Sequence, residues 1–89
     1  MGNVPKLEIA LERLVTVMPA NPDAWFDLAA MQAMIGKSTG ALRSLEQALT
    51  LSTKRREQDP KARDLRMEVM RDPRFNVLRQ MPEFQKLVF

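Results

Sequence analysis

Cysteine and histidine are both absent from the 89 residues of this chain, and tyrosine is absent as well. The lack of cysteine excludes disulfides, thiolate nucleophiles and cysteine metal sites, and the lack of histidine removes the commonest metal ligand and general base. Pairs of acids lie one helical turn apart, Glu8 with Glu12 and Asp23 with Asp27, but neither pair has a histidine or a third ligand nearby in the sequence. The sequence therefore predicts a protein that is not an enzyme and that uses no cofactor and no metal.

Long apolar stretches are absent too. No run approaches the roughly 18 residues of a membrane span, and the N-terminus lacks the order of charged, apolar and small residues that makes a signal peptide. Hydrophobic residues make up 45% and charged residues 28%, which is typical of globular rather than disordered chains. We therefore expect a single domain over residues 1–89 with a modest core, in the cytoplasm and without membrane insertion.

Glycine is scarce, and prolines supply most of the breaks between apolar patterns. Between these breaks the apolar residues recur at steps of three and four, which predicts an all-α protein. The predicted main helices cover residues 5–18, 22–35 and 39–56, and the last of these can continue to Gln58. Short helices are predicted after Pro60, Pro73 and Pro82.

Several residues predict where the main helices begin and end. Asn21 can cap the second helix, and Pro22 can occupy its first turn. Gly36 is expected to end that helix, and Ser38 or Thr39 to cap the third with a hydroxyl group. The turn between the two helices is therefore short, which predicts an antiparallel pair.

This central pair has two complementary helical stripes, which are apolar except for Gln32. The first consists of Trp25, Leu28, Met31, Gln32 and Ile35, and the second of Ala41, Leu42, Leu45, Ala48 and Leu49. Small side chains on the facing sides, at Ala29, Ala41 and Ala48, allow the two backbones to come close. Trp25, the only tryptophan, is expected to be largely buried between the two helices.

These residues resemble one tetratricopeptide repeat, a helix-turn-helix unit of roughly 34 residues with the pattern W-x2-L-G-x2-Y, then A-x3-F, then A, then P. The resemblance covers residues 22–53 and is carried by Trp25, Leu28, Ala29, Ala41, Leu45 and Ala48. Gln32 stands where the family has tyrosine, and Thr53 stands where it has the closing proline. These two departures indicate that stacking on this side differs from the usual kind.

The flanking segments extend the resemblance. Residues 5–19 resemble the second helix of a preceding half repeat, and we expect that the chain is a piece of a longer protein. Residues 59–88 resemble a degenerate repeat followed by a C-terminal cap, in which Asp59 and Asp72 each precede a proline as expected helix caps. Two similar turns in this segment place Phe75 and Phe84 so that they can pack back as a lid. The implied architecture is a short superhelix of antiparallel hairpins with capping helices.

The resemblance also implies a binding surface. In tetratricopeptide arrays the first helix of each unit lines the concave side, while Trp25 and Leu28 would face into the pair. The positions that would face a ligand are Asp23, Phe26, Ala30, Ala33 and Met34. The expected function is a protein–protein interaction module that holds a peptide or helix in this groove, with Phe26 as its anchor.

Other interpretations of the sequence stay open. The unpaired first helix could be completed by a second copy, which would make the chain a self-association module and a homo-oligomer. The chain could also be an accessory domain of a larger enzyme or membrane protein. Residues 54–74 are rich in cations, but acids are interleaved and no aromatic platform for bases is present, so nucleic-acid binding is disfavoured against a solvated, salt-bridged face.

Overall fold

The structure is a computed structural model that describes residues 3–89, with the side chains of residue 6 and of residues 8–89. In chain order, its elements are α1 (Asn3–Val17), α2 (Pro22–Met34), α3 (Ser38–Gln58), α4 (Leu65–Arg71), a 3₁₀ helix (Pro73–Leu78) and α5 (Pro82–Val88). No strand occurs among the described residues, so the predicted all-α fold is confirmed. The three long helices match the predicted ranges within a few residues, and α3 continues to Gln58.

Helix α2 is the centre of the packing. It lies against α3, α1 and the 3₁₀ helix, and so has neighbours on several sides. A helix in this position needs small and apolar residues around most of its circumference. Its buried residues are Pro22, Ala24, Phe26, Leu28, Ala29, Ala30 and Ala33.

The crossing of α2 and α3 is close, as the small residues predict. Ala29, Ala41 and Ala48 are fully buried. Gln32 takes part in this crossing, because its Oε1 accepts a hydrogen bond of 2.7 Å from the Ser44 hydroxyl on α3. A polar interhelical contact therefore stands where the repeat pattern has tyrosine.

The predicted cap at the start of α2 and the predicted glycine at its end are confirmed, but the predicted cap of α3 is not. The Asn21 side chain accepts a hydrogen bond of 3.0 Å from the backbone amide of Asp23, and Gly36 has a φ of +84°. That positive φ suits glycine, which has no side chain to clash in the left-handed region. The prediction that Ser38 or Thr39 caps α3 is wrong, since α3 already begins at Ser38 and Lys37 stands before it without a side-chain capping bond.

The first helix of the C-terminal third begins later than predicted. Asp59 and Pro60 form a turn and start no helix. Helix α4 begins at Leu65, and its cap is Asp64, whose carboxylate accepts hydrogen bonds from two backbone amides. The Asp72 cap is confirmed, because its Oδ1 accepts from the Arg74 amide at 2.9 Å. The guanidinium of Arg79 ties these helices together by donating to the carbonyl oxygens of Val69, Met70 and Asp72.

The predicted lid forms part of the main core. Phe75 is fully buried and Phe84 is 2% exposed, and both belong to the same apolar cluster as the α2 and α3 residues. Trp25 differs from its prediction, because it is only partly buried. Its indole Nε1 donates to the Pro19 carbonyl at 2.8 Å, and its ring packs on both the main cluster and the smaller cluster under α1. The aromatic centre of the fold is therefore Phe26 with Phe75.

Candidate interaction surfaces

The predicted ligand-facing strip is mostly covered. Phe26 and Ala30 are fully buried and Ala33 is 1% exposed, so the expectation that they form an accessible surface is wrong. Met34 is 53% exposed, and the Asp23 side chain is 37% exposed. The structure therefore leaves only the two ends of the strip open to a partner.

The chain's own C-terminal segment covers the strip. The ring of Phe75, in the 3₁₀ helix, packs against Phe26 with the ring centroids 5.2 Å apart and the planes tilted by 50°. Two guanidinium groups lie over the Phe26 ring, Arg63 at 5.5 Å and Arg74 at 5.9 Å from its centroid. Cations at these distances are attracted to the face of an aromatic ring. The side chain predicted to anchor a partner is thus enclosed by one aromatic ring and two cations.

An ion-pair network surrounds this enclosure. Asp23 accepts from Arg55 and from Arg63, each at 3.0 Å, and so links α2 to the end of α3 and to the following loop. Arg63 also pairs with Glu68 on α4, and this hydrogen bond raises the pKa of Arg63. Asp23 was predicted to face a partner, but its carboxylate is engaged within the chain.

A second ion pair fixes the start of the 3₁₀ helix. The Arg74 guanidinium donates to Asp72 Oδ2 at 2.7 Å, and it also lies 3.9 Å from Asp27 on α2. The hydrogen bond with Arg74 lowers the pKa of Asp72, because it stabilises the ionised carboxylate. The capping carboxylate is therefore held in its charged form next to the groove of α2.

Other cations of the basic segment also have partners within the chain. Arg56 donates to the Ala62 carbonyl at 2.7 Å and lies 3.9 Å from Asp64, and Arg66 donates to the carbonyls of Leu87 and Val88. Lys54, Lys61 and Arg71 are exposed and form no ion pair with the described residues. This pattern supports a salt-bridged face more than a phosphate-binding one.

Comparisons with protein-family models, with curated proteins and with solved structures find no match for this chain. The tetratricopeptide resemblance therefore stays a prediction from the residues themselves. Within residues 3–89, no helix combines the length and the apolar character of a membrane span. The described residues likewise contain no group of three acidic, histidine or cysteine side chains that could hold a metal ion.

Helix α1 presents an apolar surface to solvent. Val15 is buried against Ala24 and Leu28 of α2, with Leu11 partly buried beside them. The other sides of the same helix expose large apolar residues to solvent. These are Ile9 at 49%, Leu14 at 38% and Val17 at 77% exposure, and Met18, directly after the helix, is 46% exposed.

An ion pair anchors α1 to the turn between α2 and α3. The Glu8 side chain is only 7% exposed, and its two carboxylate oxygens accept from Lys37 Nζ at 2.8 and 3.0 Å. This hydrogen bond raises the pKa of Lys37. A carboxylate so shielded from water needs its partner, so the pair fixes how α1 is rotated against α2. That rotation decides which residues of α1 point outward.

The sequence predicts that the unpaired first helix could be completed by a second copy, but it does not show which residues of the apolar stripe of this helix point outward. The available signal is the width of the stripe. Apolar residues occupy more of the circumference of α1 than contact with one neighbouring helix can bury.

Proposed function

We propose that this protein is a non-catalytic protein–protein interaction module of the tetratricopeptide kind, and that it engages its partner through the outward face of α1. The observation that carries the proposal is the exposure of Leu14 and Val17 on a helix whose other side is packed on α2. Exposed apolar residues grouped on one helix face are typical of sites where another protein docks.

The groove of α2 has a different role in this proposal. Because Phe75 fills the side where the repeat family holds its ligands, the C-terminal segment acts as a cap on the helical stack. The cap stabilises the fold and keeps Phe26 from solvent. The partner then meets a helix surface on α1, and the matching occupant of such a surface is a helix.

A site-specific photo-crosslinking experiment tests this function. A photoreactive residue replaces Val17 on α1 in one variant and Val77 in a matched variant, since both valines are well exposed, at 77% and 64%. In cells that make the protein, we expect a defined protein adduct from position 17 that is absent from position 77. Adding Leu14→Ser should abolish that adduct while the helical circular dichroism stays unchanged.

Two results would contradict the proposal. One is the absence of any protein adduct from position 17. The other is the same set of adducts from both positions, which would mean that α1 has no preference over the remaining surface.

A further inference from the structure

The outward face of α1 has a regular apolar seam. Ala10, Leu14 and Val17 follow one another at steps of four and three residues, so they lie on one side of the helix. All three are exposed, and Val17 is the most exposed of them at 77%. This spacing matches the contact stripe with which one helix packs along another.

One edge of this seam is cationic. Lys6 and Arg13 lie about two turns apart along the same edge, and both side chains are exposed. An acid three or four residues away on the same helix could pair with each cation, but here those positions carry no acid. For Arg13 they are Ile9, Ala10, Thr16 and Val17, and for Lys6 they include Ile9 and Ala10.

No ion pair joins Lys6 or Arg13 to any other described residue. Elsewhere in the described chain, Arg55, Arg56, Arg63 and Arg74 are paired with acids, whereas Lys54, Lys61 and Arg71 are not. Two exposed cations beside an apolar seam, with no acid three or four residues away on their own helix, supply a charge pattern that a partner can complement.

We propose that the partner of α1 is an amphipathic helix of another protein, with acidic side chains along the edge that meets Lys6 and Arg13. This inference rests on the proposed function, because it specifies the chemistry of the partner at the same surface. The apolar seam supplies the binding energy, and the charged edge fixes the orientation of the bound helix and excludes basic partners.

The same charges disfavour antiparallel pairing of α1 with a second copy of this chain. In a twofold pair each patch meets its own copy. Two antiparallel α1 helices joined through this seam would bring the Lys6 and Arg13 edge of one beside the same edge of the other. The like charges would repel, whereas an acidic helix would pair with both cations.

Two synthetic helical peptides test the inference on the whole chain. Both have three heptads with leucine and alanine at the seam positions; one carries glutamate along one edge, and the other carries lysine at those positions. Fluorescence anisotropy should give a dissociation constant about tenfold lower for the glutamate peptide, and the difference should shrink as salt is raised. The double variant Lys6→Glu with Arg13→Glu should reverse the preference. The variant Arg71→Glu, on the exposed side of α4, should leave it unchanged.

Control variants separate this inference from the proposed function. Val17→Asp should abolish binding of the glutamate peptide, whereas Val77→Asp in the 3₁₀ helix should not. If both peptides bind equally and Val17→Asp abolishes the binding of both, the inference of an acidic partner is overturned, while the proposed interaction role of α1 keeps its support. Failure of both peptides to bind overturns the inference as well. A dimer in light scattering that Val17→Asp dissociates would also overturn it, because a second copy would then cover the seam.

Discussion

The ring centroid of Phe26, on the central helix α2, lies 5.2 Å from that of Phe75, in the C-terminal segment of the same chain. This contact closes the side of α2 that the repeat pattern assigns to ligands. Arg63 and Arg74 lie over the Phe26 ring, and the Asp72 carboxylate caps the 3₁₀ helix that carries Phe75. A partner at this position would have to displace part of the core, which is why we propose the outward face of α1 as the docking surface.

Truncation of Phe75 tests how much this contact stabilises the fold. Because the side chain is fully buried, we expect Phe75→Ala to lower the free energy of unfolding by about 3–5 kcal/mol, measured by urea titration. The matched control is Phe89→Ala, since Phe89 is 87% exposed and its loss should change stability by less than about 0.5 kcal/mol. Similar small losses for both variants would mean that the C-terminal segment does not pack on α2.

The Asp72 cap predicts a specific acid sensitivity. Hydrogen bonding to Arg74 lowers the pKa of Asp72 in the folded state, so the pair contributes stability above the unfolded pKa of about 3.9, and this contribution is lost as the pH falls through the lower folded value. Asp72→Asn keeps a capping side chain but removes the charge, so its stability should fall less steeply below about pH 4 than that of the wild type. Asp72→Ala should cost about 1 kcal/mol more than Asp72→Asn at neutral pH, because the cap is lost too. Equal acid slopes for wild type and Asp72→Asn in urea titrations would contradict the assignment.

The pair of Glu8 and Lys37 predicts an alkaline loosening of α1. The hydrogen bond raises the pKa of Lys37, so the stabilisation is present below the ordinary value of 10.5 and is lost as the pH rises through the higher folded value. Trp25 packs on the cluster under α1 and can report the change by fluorescence, and the chain has no tyrosine whose ionisation would interfere. We expect a fluorescence transition above pH 10.5 in the wild type.

Two lysine variants give the control for this titration. Lys37→Met should shift Trp25 fluorescence toward the alkaline form already at neutral pH, whereas Lys54→Met, on the exposed surface of α3, should keep the wild-type transition. The same transition in Lys37→Met as in the wild type would show that another group causes it.

The helices could be predicted from the sequence because their signals are local. The apolar spacing, the Asn21 cap and the positive φ that Gly36 adopts all act within a few residues of the boundary that they define. Asp59 before Pro60 was misleading because it has the same local pattern as Asp72 before Pro73. The Asp64 cap and the packing of Leu65 and Val69 into the core set the start of α4 after Asp64.

The binding surface could not be predicted in the same way, because burial of Phe26 depends on a contact distant in the sequence. An aromatic residue on α2 suits a partner's pocket and the chain's own core equally well. The lid expected from Phe75 and Phe84 was correct, and the strip expected at Phe26, Ala30 and Ala33 was wrong, although both expectations concern the same space. Considered together, they would have indicated that the lid occupies the strip.

The most direct test of this account compares two single cysteines, which is possible because the natural chain has none. Ala30→Cys places a thiol on the predicted strip, which is fully buried in the structure, and Val17→Cys places one on the outward face of α1. Under native conditions we expect the thiol at position 17 to react with a thiol reagent as fast as a free thiol. The thiol at position 30 should react at least about a hundredfold more slowly, because it becomes accessible only when the fold opens. Adding Phe75→Ala to Ala30→Cys should remove much of this protection. Equally fast reaction at both positions, in chains with the same helical circular dichroism, would contradict the account, because the groove of α2 would then be open.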